Sequence, residues 1–318
     1  MVTEGQSATS KLEVILGCEG VERLSASTVM VLGLGGVGSN CVEALARGGV
    51  GRLIIVDHDV VQASNINRQA IAYHSTIGRK KTDVMQAMIA DINPSAEVIA
   101  HDMFVLAENL SDLFEPYLGQ LDFVVDAIDT VSTKLALALF AQQGDFRLVS
   151  SMGAANKLHP ECFRVADIYE TVNCPLCRIM RKEARKRGID HLKVLYSCEK
   201  PVETTQAEGT ERRERANLGT ASYVPPIMGQ MIAGEVIREL SGIGVDQEAK
   251  QNAMRLADTI RPMRPTSGVA SPASTTQASS VATSVSAATQ SIATASPASG
   301  AARAASTPCP AKAAGERR

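Results

Sequence analysis

Residues 31–38 read Val31-Leu32-Gly33-Leu34-Gly35-Gly36-Val37-Gly38. The apolar run of residues 28–33 (TVMVLG) leads into this stretch. A helix-like segment, residues 38–47, leads out of it and is stopped by Gly48-Gly49. Gly33, Gly35 and Gly38 match G-x-G-x-x-G, with a further glycine at 36. Glycines let a backbone turn sharply and approach an anion closely, and the free N–H groups of the following helix point at that anion. Strand, glycine turn and helix in this order predict a nucleotide-phosphate site. NAD, FAD and ATP all use such a turn, so by itself it leaves the nucleotide open.

Outward from the turn, strands and helices alternate. Residues 52–57 (RLIIVD) predict a second strand, ending on Asp57, whose carboxylate is placed to bind ribose hydroxyls. Residues 81–92 predict an amphipathic helix ended by Asn93-Pro94, and residues 97–100 a short strand. Residues 121–127 (LDFVVDA) read as a buried strand, 131–143 as a helix and 147–150 as another strand. Buried strands alternating with helices predict an α/β fold: a doubly wound, mainly parallel, Rossmann-like sheet.

Composition bounds the rest. The chain has 318 residues, 45% of them apolar, enough for one large domain or two modest ones. The formal charge of −2 does not announce a nucleic-acid binder. The balance is uneven, because five basic residues stand against one acid after Pro262, which leaves the preceding part acidic. Residues 263–318 are rich in Ser, Thr, Ala and Pro and poor in large side chains, so a disordered tail is expected there, after a folded domain spanning 1–262. Residues 202–217 read as a mobile, charged loop within that domain. No apolar run approaches the roughly 18–20 residues of a membrane span, and residues 1–10 lack a secretory pattern. A cytoplasmic protein with mostly reduced thiols is expected.

The segment after Asp57 narrows the nucleotide. It runs Asp57-His58-Asp59-Val60-Val61-Gln62-Ala63-Ser64-Asn65-Ile66-Asn67-Arg68-Gln69, then Gly78-Arg79-Lys80-Lys81, and residues 121–127 lead to Asp126 and Asp129. A plain dinucleotide dehydrogenase has no need of this polar loop. With the glycine turn, these elements resemble the ThiF/MoeB/E1 superfamily of adenylating enzymes, whose hallmarks are GxGGxG, DxDxVxxSNxxRQ, G-x-x-K and D-x-x-D. The resemblance implies an enzyme that joins a carboxylate to AMP from ATP with the help of Mg²⁺. Cations offset charge developing on the phosphates, and a metal offsets the remainder. It implies an ATP site built from Gly33, Gly35, Gly36, Gly38, Asp57, Asp59, Ser64, Asn65, Arg68, Gln69, Lys81, Asp129 and Thr130. Arg68 and Lys81 are expected on the phosphates, Asn65 beside them, Asp57 on the ribose and Asp129 on the metal. Asp126 is expected as support, and on the residues alone Asp126 and Asp129 also read as a helix-capping pair. Some members of the superfamily borrow an arginine from the partner subunit of a homodimer. Lys11 is its expected counterpart here, keeping the charge without the bidentate fork.

Later segments resemble one branch, the tRNA threonylcarbamoyladenosine dehydratases (the TcdA, or CsdL, branch). They are residues 150–160 (SSMGAANKLHP), residues 163–168 (FRVADI), residues 174–188 (CPLCRIMRKEARKRG), and residues 219–229 (GTASYVPPIMG) with the helix that follows. That resemblance implies ATP-dependent ring closure of the threonylcarbamoyl group at adenosine 37 of tRNA. The rival branch activates the C-terminus of a ubiquitin-like or sulfur-carrier protein, which would make such a protein the partner. At 100° per residue, Arg178, Arg181, Lys182, Arg185 and Lys186 share one helix face, suited to a phosphate backbone or to plain solvation. Cys174 and Cys177 form C-x-x-C without a second pair. A zinc half-site, a redox pair and a neutral helix start remain open for them. Cys18 and Cys41 are expected in the core. His58 and His74 read as surface or capping residues.

Overall fold

The computed structural model describes residues 7–144, 146–203 and 218–243. Most of the expected mobile loop 202–217 and all of the expected tail 263–318 lie outside these residues. The elements run α1 (Ser10–Ala26), β1 (Thr28–Leu32), α2 (Gly38–Arg47), β2 (Arg52–Asp57), α3 (Lys81–Ile92), β3 (Glu97–Asp102), α4 (Leu110–Phe114), β4 (Phe123–Asp126), α5 (Val131–Gln143), β5 (Arg147–Ser151), β6 (Phe163–Asp167), α6 (Pro175–Lys186), β7 (Lys193–Ser197) and α7 (Val224–Ser241). Among the described residues, one seven-stranded sheet holds all the strands in the order β3-β2-β1-β4-β5-β7-β6. Every pairing is parallel except that of β6 with β7.

The central strands are apolar along their middles because both faces of the sheet are covered. Along β1, Val29 and Val31 enter one core with Leu45, Ile55 and Ile232, under α2 and α7. Met30 and Leu32 enter the other, with Ile54, Val124, Phe114 and Leu137 under α4 and α5. Side chains alternate with the two-residue period of a strand, so a fully apolar strand serves two cores. A third cluster fastens α6 to β7 and α5 through Leu135, Met180, Ala184 and Tyr196. Arg23 of α1 donates to the Ser241 carbonyl at 2.8 Å, so α1 is fastened to the far end of α7.

Strand order reverses between β1 and β4. In an open α/β sheet the crevice outside the C-terminal ends of two such strands is the ligand site. β1 ends at Leu32, so Gly33 already belongs to the turn, and β4 is shorter than expected because its ladder with β1 stops at Leu32 opposite Asp126. Cys41 is buried, whereas Cys18 is exposed. The core expectation for Cys18 fails because α1 buries only Gly20 and Leu24.

Candidate active site

The glycine turn is locked by backbone contacts. The Gly33 N–H donates to the Val56 carbonyl at 2.8 Å, which draws the turn over the end of β2. Gly33 has φ +92°, and a Cβ there would stand 2.8 Å from the Ala127 carbonyl oxygen. A Cβ on Gly38 would stand 1.8 Å from the Gly33 carbonyl oxygen, so only glycine lets the start of α2 close on the turn. Asp57 adds a side-chain lock: its Oδ2 accepts the Leu34 N–H at 2.6 Å and its Oδ1 the Asp59 N–H at 2.8 Å. Each carboxylate oxygen has a second lone pair, so capacity to accept ribose hydroxyls remains.

The excursion after β2 folds back on itself through a bridge between Val60 and Lys80. The return sets Lys81 beside the end of β2, its N–H donating to the Asp59 carbonyl at 3.0 Å. The Lys81 side chain is buried. Its Nζ lies 2.7 Å from Asp59 Oδ2 and 3.8 Å from Asp57 Oδ1. Arg68 comes from the same excursion. Its aliphatic stem crosses Gly36, where a Cβ would lie 3.2 Å from Arg68 Cγ. Asn40 of α2 holds it there, donating to the Gly36 carbonyl at 2.7 Å and the Arg68 carbonyl at 3.0 Å. The Arg68 guanidinium donates to the Ser64 carbonyl at 2.9 Å and to Asn67 Oδ1 at 2.8 Å. Asn65 is buried and shapes the excursion, its Oδ1 accepting the Gln62 N–H at 3.0 Å. Gln69 is buried too, and its Oε1 has no protein hydrogen-bond partner.

The two acids after β4 separate sharply. Asp126 is fully buried. It accepts from Lys134 Nζ at 3.0 Å, from Ser150 Oγ at 2.5 Å and from the Ile128 N–H at 3.1 Å. Lys134 Nζ also reaches the Ser151 carbonyl at 2.8 Å, so one buried ammonium ties the ends of β4 and β5 together. Asp129 is exposed, two residues beyond Ala127, and its Oδ1 lies 3.4 Å from the Thr130 hydroxyl. Mg²⁺ takes oxygen ligands, usually one or two carboxylates together with substrate phosphates. Asp129 offers a carboxylate at the surface, just beyond the C-terminal end of β4. Asp126 offers none, because its oxygens are already engaged in the core. Asp57, His58 and Asp59 also bring three ligand-type atoms together. The Lys81 ammonium already sits against that group and would repel a second cation, so we assign no metal there.

Lys11 is exposed in the first turn of α1, a helix packed chiefly on α7, so its own chain does not bring it to the glycine turn. On α6, Arg178, Lys182, Arg185 and Lys186 are all exposed, and Arg178 and Lys182 have no side-chain partner among the described residues. The other three expected cations are engaged. Arg181 donates to the Thr171 carbonyl at 2.8 Å, the Arg185 guanidinium lies 5.1 Å from the Tyr169 ring centroid, and Lys186 pairs with Glu183 at 2.8 Å.

The model of the ThiF family matches residues 7–278. The chain belongs to the ThiF family. Among similar proteins, the tRNA threonylcarbamoyladenosine dehydratase of Bacillus subtilis (strain 168) is 42% identical over 240 residues, 73% of this chain and 93% of that protein. The enzyme of the same name from Haemophilus influenzae is 39% identical over 238 residues, covering 70% of this chain and 88% of that one. Among solved structures, Escherichia coli TcdA in complex with ATP superimposes with a TM-score of 0.66 at 26% identity, over 77% of this chain and 96% of that one.

Within this ThiF-family chain, sequence reasoning located the glycine turn, the Arg68 excursion and Lys81. It missed Lys134. The signal was present, since a lysine at the inner face of an otherwise apolar helix needs an acid near it. Asp126, eight positions earlier, is that acid. The sequence also gave no sign that Asn40 staples the excursion to the turn.

Proposed function

We propose that this chain is an ATP-dependent tRNA threonylcarbamoyladenosine dehydratase, adenylating the threonyl carboxylate at position 37 and then closing the ring. The observation that carries this reading is likeness to a dehydratase along 93% of that enzyme's length. The protein-activating rival is less favoured, because its relatives match only in part: the MOCS3 adenylyltransferase and sulfurtransferase of Anopheles gambiae aligns over 38% of this chain and 27% of its own length.

In this reading the α-phosphate sits against the glycine turn, where the backbone comes close and α2 offers its N–H groups. Asp57 holds the Leu34 N–H and turns its remaining lone pairs to the ribose. Arg68 and Lys81 offset the negative charge that grows on the departing pyrophosphate as the carboxylate oxygen attacks the α-phosphorus. Lys81, buried between two carboxylates, stays in place without reorganising during the step. Mg²⁺ held by Asp129 would supply further charge neutralisation at the phosphates. Ring closure within the activated substrate then releases AMP, so the substrate loses one water overall. Arg178 and Lys182 contact the tRNA backbone. A homodimer in which Lys11 of one subunit reaches the phosphates of the other gives that lysine its role. No helix among the described residues is long and apolar enough to cross a membrane.

The test is incubation with ATP, Mg²⁺ and tRNA carrying the threonylcarbamoyl mark. The expected result is a nucleoside lighter by one water, with AMP and pyrophosphate formed. Asp129→Ala is expected to abolish AMP formation while leaving the thermal transition in place, and Lys81→Ala to abolish it with a lowered transition, because the buried Asp57 carboxylate loses a neighbouring cation. An unchanged nucleoside, together with pyrophosphate exchange driven by a Gly-Gly-ended carrier protein, would move the assignment to the rival branch.

A further inference from the structure

Six cysteines among the described residues are free thiols, and the proposed adenylation uses none of them. Four of them stand as two pairs. The Cys198 N–H donates to the Cys162 carbonyl at 3.0 Å, and the two thiols are in hydrogen-bond contact beside the edge strand. Cys174 and Cys177 open α6. Cys174 is the N-cap residue, its Sγ accepts the Cys177 N–H at 3.4 Å, and these thiols also hydrogen-bond to each other. Residues three apart in a helical turn have Cβ atoms about 5–6 Å apart. A disulfide needs Cβ atoms about 3.5–4.5 Å apart, so bridging the pair takes a local closure of about 1–2 Å.

The two members of the α6 pair differ in kind. Cys174 is pushed down to about 6, first by the hydrogen bond from the Cys177 thiol, with further help from the Cys177 N–H and the nearby Lys157 ammonium. Cys177 is pushed up, because its proton is the one donated and because it is buried; the Thr171 hydroxyl and Arg181 oppose this only in part. Near neutral pH the charge therefore sits on one sulfur and the proton on the other, the division between an attacking and a resolving cysteine. Burial and its neighbour Cys198 hold Cys162 up at about 11, so the second pair lacks that division. Nor do the thiols assemble a closed zinc shell, which needs four ligands. Among the described residues, the group of three ligand-type atoms that lies close enough together is the one at Asp57, His58 and Asp59.

We propose that Cys174 and Cys177 form a thiol–disulfide redox site whose oxidant is a small hydroperoxide. The Cys174 thiolate attacks one peroxide oxygen. An S–O bond forms, the O–O bond breaks, and the departing hydroxide takes a proton to leave as water. The Cys177 sulfur then attacks the Cys174 sulfur, and its proton leaves with the second hydroxide as water. Two thiols are oxidised to one disulfide while one hydrogen peroxide is reduced to two waters. Cys174 is 5% exposed, an opening that favours peroxide over a bulky peptide disulfide.

The site is independent of the tRNA chemistry and is tested without it. The full chain is treated with equimolar hydrogen peroxide near pH 7, alkylated and mapped with trypsin. Residues 165–178 make one tryptic peptide that holds Cys174, Cys177 and no other cysteine. That peptide is expected to lose two hydrogens, reversibly with dithiothreitol, while Cys162 and Cys198 remain open to alkylation. Cys177→Ser is expected to accumulate a dimedone-reactive sulfenic acid at position 174, which Cys174→Ser does not. In untreated protein the alkylation rate of Cys174 should reach half its plateau near pH 6, in line with the pKa of about 6. Any of three results would overturn the proposal: the disulfide forming first at Cys162 and Cys198, the 165–178 peptide staying reduced, or stoichiometric zinc co-purifying on the pair.

Discussion

Gly38 and Gly35 stand three positions apart in the same turn and meet opposite constraints. A Cβ at 38 would overlap the Gly33 carbonyl oxygen at 1.8 Å, while a Cβ at 35 meets nothing within 4 Å. Gly38→Ala therefore has to displace backbone, at a cost of at least about 1–3 kcal/mol. For a chain of this size that lowers the melting temperature by roughly 2–10 °C. Gly35→Ala is expected to melt within a degree or so of the parent while its methyl group weakens ATP binding by standing where the phosphate approaches. Thermal melts and ATP titrations of the two variants separate a folding glycine from a binding one. Lys134 makes a second prediction at this scale. Removing one partner of a buried ion pair leaves the other charge uncompensated, so Lys134→Met is expected to cost about 3–5 kcal/mol in urea unfolding. Pairing it with Asp126→Leu should recover much of that loss. The sequence made the four motif elements legible because each is a local pattern. It did not separate Gly35 from Gly38, because that difference lies in which carbonyl folds over each residue.

Helix α6 reads in sequence as one continuous cationic face, and in the structure that face is divided. Arg181 is tied to Thr171 and Arg185 lies over Tyr169, so both brace the helix against the segment after β6. Arg185 and Lys186 are still exposed, but among the described residues Arg178 and Lys182 are the cations of this face without a side-chain partner. Charge reversal at both, Arg178→Glu with Lys182→Glu, is expected to weaken tRNA binding and to flatten its dependence on log salt by about 1–2 units. Filter binding between low and physiological salt reads this directly, and an unchanged slope would remove α6 from the tRNA surface. Arg181→Ala is expected to act differently, lowering stability by about 1–3 kcal/mol through the lost charged hydrogen bonds while shifting the salt slope little. Helical periodicity put these five side chains on one arc. It had no means of seeing Thr171 and Tyr169, which approach from outside the helix.

At the scale of the whole molecule, stability is spread over two apolar layers that meet at the sheet. Near its edge a titratable group is partly withdrawn from water. His101 of β3 lies with its Nε2 2.7 Å from the Tyr117 hydroxyl, and burial pushes its pKa below the ordinary histidine value. The unfolded chain then binds this proton more readily than the folded one. The contribution of His101 to stability is complete above its ordinary value, about 6.5, and is lost as pH falls below it. Melting temperatures are expected to decline from pH 7 to pH 5 by a margin that His101→Gln reduces; identical pH profiles for the two proteins would contradict this. By itself the sequence determined the parallel α/β plan, the glycine turn and most of the residues that gather around it. Those depend on two-residue and 3.6-residue periodicities and on motifs that are each a short local run. Tertiary structure alone decided that β6 runs antiparallel at the edge, that Cys18 faces outward, that Asp126 is buried beneath Lys134 while Asp129 lies at the surface, and which cations of α6 are held by neighbours. Each of these turns on what a side chain meets from a distant part of the chain. Burial and pairing are properties of the assembled contact, not of the residue.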